Sequence, residues 1–347
     1  MPQQLRRLFV PFCAGLALVL GAVAFGADKK DPRVQHCIDR GLEWVANAQS
    51  RVGSWSAKDG MYPTAMTALA GIALLQEGST TTQGKYAPNI RRAVDYLCSR
   101  SRSNGLIGDP TRDDRYTYGH GYSMLFLSQV LGEEEDQARR KDLIRVLTKA
   151  VEFCGRAQTD DGGWGYVSAK DGGGYDEGST TITQVQGLRG CRNAGISVPK
   201  EVIDKAIKYI HKCTLEDGAV QYSSKGGGPR PAITAAAIAC LYNAGDYDDQ
   251  FVPKMMKYTA NSLDDLNKQD FGHWHYAHYY YAQVMYREGG EKWEQYRDKM
   301  YARLVSEATE DRTGISWTQG YVGQIYTTAV NLTILQLDNN ILPIYQR

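Results

Sequence analysis

Charge of one sign is the first thing this 347-residue chain lacks. Lys and Arg number 40 against 39 Asp and Glu, a formal charge of +1. That balance gives no basic footprint for nucleic acid and no electrostatic reason to sit on a membrane surface. Phe is sparse, 7 against 23 Tyr, so polar-tipped rings dominate the aromatic set. Cysteine is limited to seven residues and forms no CxxC pair, which argues against a zinc ribbon. No convincing apolar/polar alternation marks a strand. What is present is 42% hydrophobic and 23% charged, the composition of a globular chain.

One long uncharged stretch stands at the start. Leu8 to Phe25 follows Arg6 and Arg7, and Ala24-Phe25-Gly26 makes a small-x-small junction before Asp28-Lys29-Lys30. Residues 1–27 read as a cleavable signal peptide, so the expected location is the periplasm or the exterior of the cell. An uncleaved anchor is the other reading, since a stretch of about 18 residues can just span a bilayer. It would be the chain's one membrane attachment. Cys13 lies in this segment, which leaves Cys37, Cys98, Cys154, Cys191, Cys213 and Cys240. An even number in an exported chain permits disulfides, while their apolar helical settings suit buried thiols equally well.

The rest of the chain repeats. Arg40-Gly41, Trp44, Gln49, Gly53 and Trp55 align without gaps on Arg92-Ala93, Tyr96, Ser101, Gly105 and Ile107. Lys149-Ala150, Phe153, Gln158, Gly162 and Trp164 follow, then Lys205-Ala206, Tyr209, Thr214, Gly218 and Val220. Two degenerate copies lie around Tyr258 and from Leu304 to Trp317. The period is about 55 residues, the scale of a helical repeat. Each copy opens with an amphipathic helix, then a Gly-rich loop, then a more apolar helix. The apolar helices are expected at Thr64–Glu77, Gly121–Leu131, Thr180–Ala194, Ala232–Ala244, Tyr276–Glu288 and Tyr321–Leu337. Five of them close at or before Gly78, Gly132, Gly195, Gly245 and Gly289, the residue type a helix stop favours. The last copy stays apolar to the end, from Ile334 to Ile344, where an open array would present a polar cap. A closed ring of six hairpins is therefore expected: an all-α, α/α toroid occupying residues 28–347, with inner and outer rings.

The Gln-x-x-x-Gly-x-Trp pattern at Gln49, Gly53, Trp55 and again at Gln158, Gly162, Trp164 resembles the QW repeat of squalene and oxidosqualene cyclases. Protein prenyltransferases and complement-type thioester domains belong to the same superfamily. The resemblance implies the toroid and gives Gln49, Trp55, Gln158 and Trp164 a structural role. It also implies signatures to look for. The cyclase Asp-x-Asp-Asp has a literal match, Asp246-Tyr247-Asp248-Asp249, but after an apolar helix rather than before one, so it reads as a solvated loop. Asp176-Glu177 before Ser179 reads as a helix cap. No prenyltransferase Asp-x-Cys and no Gly-Cys-Gly-Glu-Gln thioester motif occurs.

Function then rests on the loops and helix starts around one mouth of the ring. Tyr62, His120, Tyr122, Thr181, Arg230, His275, Tyr276 and Tyr326 are the candidates, with Tyr118, His273, His278 and Tyr321 beside them. Tyr and His dominate, which suits stacking, hydrogen bonding and cation–π contacts. Three of the six His fall in His273-Trp274-His275-x-x-His278, a spacing that permits two ligands on one helical face, but aromatic packing is the favoured reading and no metal or cofactor is expected. Tyr279, Tyr280 and Tyr281 read as packing or contact surface, with at least one pointing inward. The expected activity is binding of an isoprenoid or other apolar ligand by an exported cyclase-like toroid that lacks the standard catalytic motifs. Three alternatives stay open: an active terpene cyclase with a non-standard acid, a polysaccharide lyase using His120, Tyr122 and Arg230, and a scaffold for a protein partner.

Overall fold

A computed structural model describes residues 30–269 and 272–346; the expected signal peptide lies outside them. Pro32–Arg347 makes up one compact unit. Among the described residues, twelve α-helices alternate between two rings. The outer helices are α1 (Pro32–Asn47), α3 (Ala87–Ser99), α5 (Gln137–Ala157), α7 (Lys200–Cys213), α9 (Val252–Leu263) and α11 (Gly290–Glu307). The inner helices are α2 (Pro63–Leu75), α4 (Tyr116–Glu133), α6 (Gly178–Asn193), α8 (Pro231–Ala244), α10 (Trp274–Glu288) and α12 (Gln324–Leu335).

Patterning sorts the two sets. α1 buries one stripe, Val34, Cys37, Ile38, Gly41, Leu42 and Val45, and leaves its other face in solvent. Every residue of α2 is buried, as expected of a helix apolar or small all round. Each inner helix packs on the next, and α12 packs back on α2. The ring is closed, as the apolar last copy implies.

The repeat motif supplies the fastenings. The Trp55 indole N–H donates to Val45 O at 2.7 Å, and Trp164 to Cys154 O at 2.8 Å. Trp317 of the degenerate last copy does the same to Leu304 O at 2.8 Å. Gln49 Nε2 reaches across to Asn89 O of the next outer helix, and Gln158 Nε2 to Val202 O, each at 2.9 Å. The glycine of the motif lies against the following helix. Gly53 has φ 89°, and a Cβ there would stand 2.4 Å from Arg92 O. The contact recurs through the copies and ends at Gly314, where a Cβ would stand 2.4 Å from Arg40 O. The sixth copy thus touches the first, and the series of contacts runs round the ring.

Three expectations need correction. α4 starts at Tyr116 rather than Gly121 and runs through Gly132 to Glu133, because that glycine does not adopt positive φ. α12 starts at Gln324 rather than Tyr321, since Gly323 at φ 122° breaks the helical path before it. A short antiparallel hairpin, β1 (Thr309–Asp311) with β2 (Gly314–Ser316), precedes α12 where no strand was expected. Its residues are too few to show a period. The six cysteines are all free, and five of them are buried.

The C-terminal segment crosses the ring at the C-terminal ends of the inner helices. Leu342 and Tyr345 are buried, and Ile344 N donates to the Gln129 side chain of α4 at 3.3 Å.

Candidate functional site

The opposite end, where the inner helices begin, holds a cavity of about 460 Å³. Part of its wall is apolar: Ala65, Met66 and Leu69 of α2, Ala232 and Ile233 of α8. Aromatic side chains make up most of the rest. Tyr62, Tyr118, Tyr122, Tyr276, Tyr326 and Trp274 come from helix starts, and Tyr166, Tyr222 and Tyr321 from the loops. The hydroxyls are tied to the frame. Tyr122 and Tyr280 hydroxyls meet at 3.2 Å, and Tyr276 donates to Ser179 O at 3.1 Å. Burial, with Asp114 beside it, pushes the Tyr62 phenol up to about 12. Burial raises Tyr122 further, so both are neutral hydrogen-bonding groups at neutral pH.

Charge on the lining is cationic. Arg115, Arg230 and Arg303 contribute to it, with Glu307 as the carboxylate. Arg303 Nε pairs with Glu307 at 2.8 Å, and its guanidinium lies over Trp274, 4.5 Å from the ring centre. Arg115 lies 4.2 Å from the Tyr166 ring and Arg230 5.0 Å from the Tyr222 ring. The two tyrosines join through their hydroxyls. Tyr321 is hydrogen-bonded to His273 Nδ1 at 2.9 Å, and burial followed by the Arg230 charge lowers the His273 pKa. Burial holds His275 down at about 4.

Six of the eight sequence candidates converge here: Tyr62, Tyr122, Arg230, His275, Tyr276 and Tyr326. His120 and Thr181 do not. Thr181 Oγ1 accepts the Trp164 backbone N–H at 3.1 Å. His120 Nδ1 accepts the Ile107 N–H at 3.1 Å and its Nε2 donates to Ala150 O. Thr67, Thr234 and Thr328 accept the matching N–H in their copies. Both residues are therefore repeat fastenings, packed away from the mouth.

Sequence reasoning missed Arg115, Tyr166, Ser179, Tyr222, Arg303, Glu307 and Gln319. A signal existed for three of them: Tyr166, Tyr222 and Gln319 each lie two places after the residue that closes the repeat motif.

Three buried acids stand near the lining without joining it. Glu177 caps α6, accepting from Thr180 N at 2.7 Å and Ser179 N at 3.0 Å, as a cap was expected to do. Asp176 does something else: it holds the Ser223–Ser224 loop, at 2.6 Å from Ser224 Oγ. Asp113 accepts from Thr64 Oγ1 at 2.5 Å. Burial raises the pKa of Glu177 and Asp113 alike.

The Asp-Tyr-Asp-Asp stretch lies elsewhere and is not wholly solvated. Asp249 is buried, accepts the Phe251 N–H at 2.7 Å just before α9, and pairs with His211. Asp246 is half-buried and Asp248 exposed. His211, Asp246 and Asp249 are the one cluster of three potential metal ligands among the described residues. His273, His275 and His278 form no such cluster; His278 contacts the Tyr296 hydroxyl at 2.9 Å.

This geometry has relatives. The chain belongs to the squalene-hopene cyclase C-terminal domain family, which matches residues 7–233. No curated protein matches it. Among solved structures it resembles a type II terpene cyclase from Scytonema in complex with geranylgeranyl dihydroxybenzoate, at TM-score 0.60 and 13% identity over 89% of this chain and 98% of the other. It resembles an α-1,6-mannanase from Salegentibacter at TM-score 0.63 and 11% identity, covering 89% and 99%. An unsaturated glucuronyl hydrolase from Bacillus gives TM-score 0.63 and 13% identity, covering 90% and 99%. These likenesses establish the α/α toroid, which carries both terpenoid and sugar chemistry.

Proposed function

We propose that this protein, exported by residues 1–27, uses the toroid cavity to bind an isoprenoid or other apolar ligand without converting it. The lining carries the argument. It joins aliphatic side chains with tyrosine faces, a surface that gains from covering hydrocarbon. Among the described residues its carboxylate is Glu307, already paired with Arg303. Alkene protonation needs a strong acid presented to the cavity. Glu177 is engaged as the cap of α6, and Asp113 accepts from Thr64 Oγ1 and is not part of the lining.

Native mass spectrometry of the mature protein with squalene, farnesol and digalacturonate tests this reading. Retention of an unchanged isoprenoid supports it. A cyclised product would replace it with catalysis, and a shortened or exclusively bound oligosaccharide would replace it with sugar chemistry.

A further inference from the structure

The lining carries more positive charge than the fold uses. Of its three arginines, Arg303 is paired with Glu307. Arg115 and Arg230 form no ion pair among the described residues, yet both guanidiniums are held in place by stacking on tyrosine. The hydroxyl contact between Tyr166 and Tyr222 links the two stacks into one belt, Arg115 to Tyr166 to Tyr222 to Arg230. Both charges are felt at the neighbouring Tyr321–His273 pair, Arg115 at the phenol and Arg230 at the imidazole.

Arg115 and Arg230 are exposed at the rim of the cavity and gain nothing from its apolar walls. An anion between them would use both, because each fork of N–H donors can donate to a carboxylate or phosphate edge. A hydrocarbon such as squalene has no use for either guanidinium. On the reading of the cavity given above, we propose that the ligand is an amphiphile: its apolar body fills the toroid, and a carboxylate or phosphate head group is clamped at the mouth by Arg115 and Arg230.

The test compares farnesol with farnesyl phosphate by calorimetry, with inorganic phosphate and digalacturonate as further probes. Wild-type protein should bind farnesyl phosphate at least about 10-fold more tightly than farnesol, with the advantage shrinking as salt rises. In the R115Q/R230Q double variant the two should fall within about 2-fold of each other, while an unchanged melting temperature shows the fold intact. Binding of inorganic phosphate alone at comparable affinity would mean that the head group needs no apolar body and would overturn the amphiphile. Equal affinities for farnesol and farnesyl phosphate in wild type, or a gap that survives in the double variant, would overturn the clamp. Failure of the cavity reading looks different: neither farnesyl compound binds. Arginine-dependent binding of digalacturonate would then keep the clamp and reassign the body it holds.

Discussion

The Tyr345 hydroxyl lies 3.0 Å from that of Tyr279, midway along an inner helix, so the last turn of the chain closes one end of the ring. Tyr345 is 5% exposed. On the binding proposed above, the tyrosine-lined mouth is the end through which a ligand would enter. Tyr345→Ala should cost about 3–5 kcal/mol, the range for truncating a buried aromatic residue. Tyr345→Phe keeps the ring and should cost only about 1 kcal/mol for the lost hydrogen bond. Denaturant unfolding measures both; an alanine variant as stable as wild type would mean that the segment does not plug the ring.

Gly53 separates two effects of glycine. At φ 89° any side chain is strained there, and a Cβ would also strike Arg92 O. Gly195 has a similar φ of 86° with nothing within 4 Å of a Cβ position. Gly195→Ala should cost about 1–2 kcal/mol, from backbone strain alone. Gly53→Ala must in addition push two outer helices apart, and should cost at least about 2 kcal/mol more. Equal losses would show that the approach of the helices does not depend on the glycine.

Buried histidines set a pH limit on stability. Burial lowers His120 and His275 to about 4 and His278 to about 3. Unfolded histidine titrates near 6.5. As pH falls through about 6.5 the unfolded chain takes up protons that the folded chain refuses until about 4, so stability drops across that window. Each histidine contributes up to about 1.4 kcal/mol per pH unit. Glu177 and Asp113, raised by burial, act in the opposite direction, so the net slope is smaller. His120→Gln should flatten the decline by one histidine's share, and should itself cost about 1–3 kcal/mol at pH 7 through bonds it cannot fully replace. Unfolding free energies at pH 7, 6 and 5 provide the check; an unchanged slope would mean that His120 does not resist protonation.

The ring was legible because its fastenings recur in sequence. Gln49, Gly53 and Trp55 repeat as Gln158, Gly162 and Trp164, and the same contacts recur in space. That regularity also misled. His120 stands near a helix start among tyrosines, but the repeat uses its position to hold a backbone N–H, as it uses Thr67, Thr181, Thr234 and Thr328. Arg303 was invisible for the opposite reason. It sits near the end of outer helix α11 and reaches the cavity only because the ring brings that end beside Trp274. Position in the repeat predicts the frame, whereas the charges at the mouth depend on which loops the closed ring sets face to face.

Glu307 fixes how much positive charge the cavity shows. Its pairing with Arg303 at 2.8 Å cancels one of three guanidiniums, and Arg303 is also held by the Leu266 carbonyl and the Trp274 face. Glu307→Gln therefore leaves Arg303 in place but uncompensated. Affinity for farnesyl phosphate should rise by about 3- to 10-fold at low salt, equivalent to about 0.7–1.4 kcal/mol, and farnesol affinity should not change. Raising the salt should erase most of the gain, since charges at an open mouth are screened over about 10 Å at 0.1 M. Calorimetric titration at two ionic strengths tests this. A variant that gains affinity for both compounds alike would point to a wider cavity rather than a released charge.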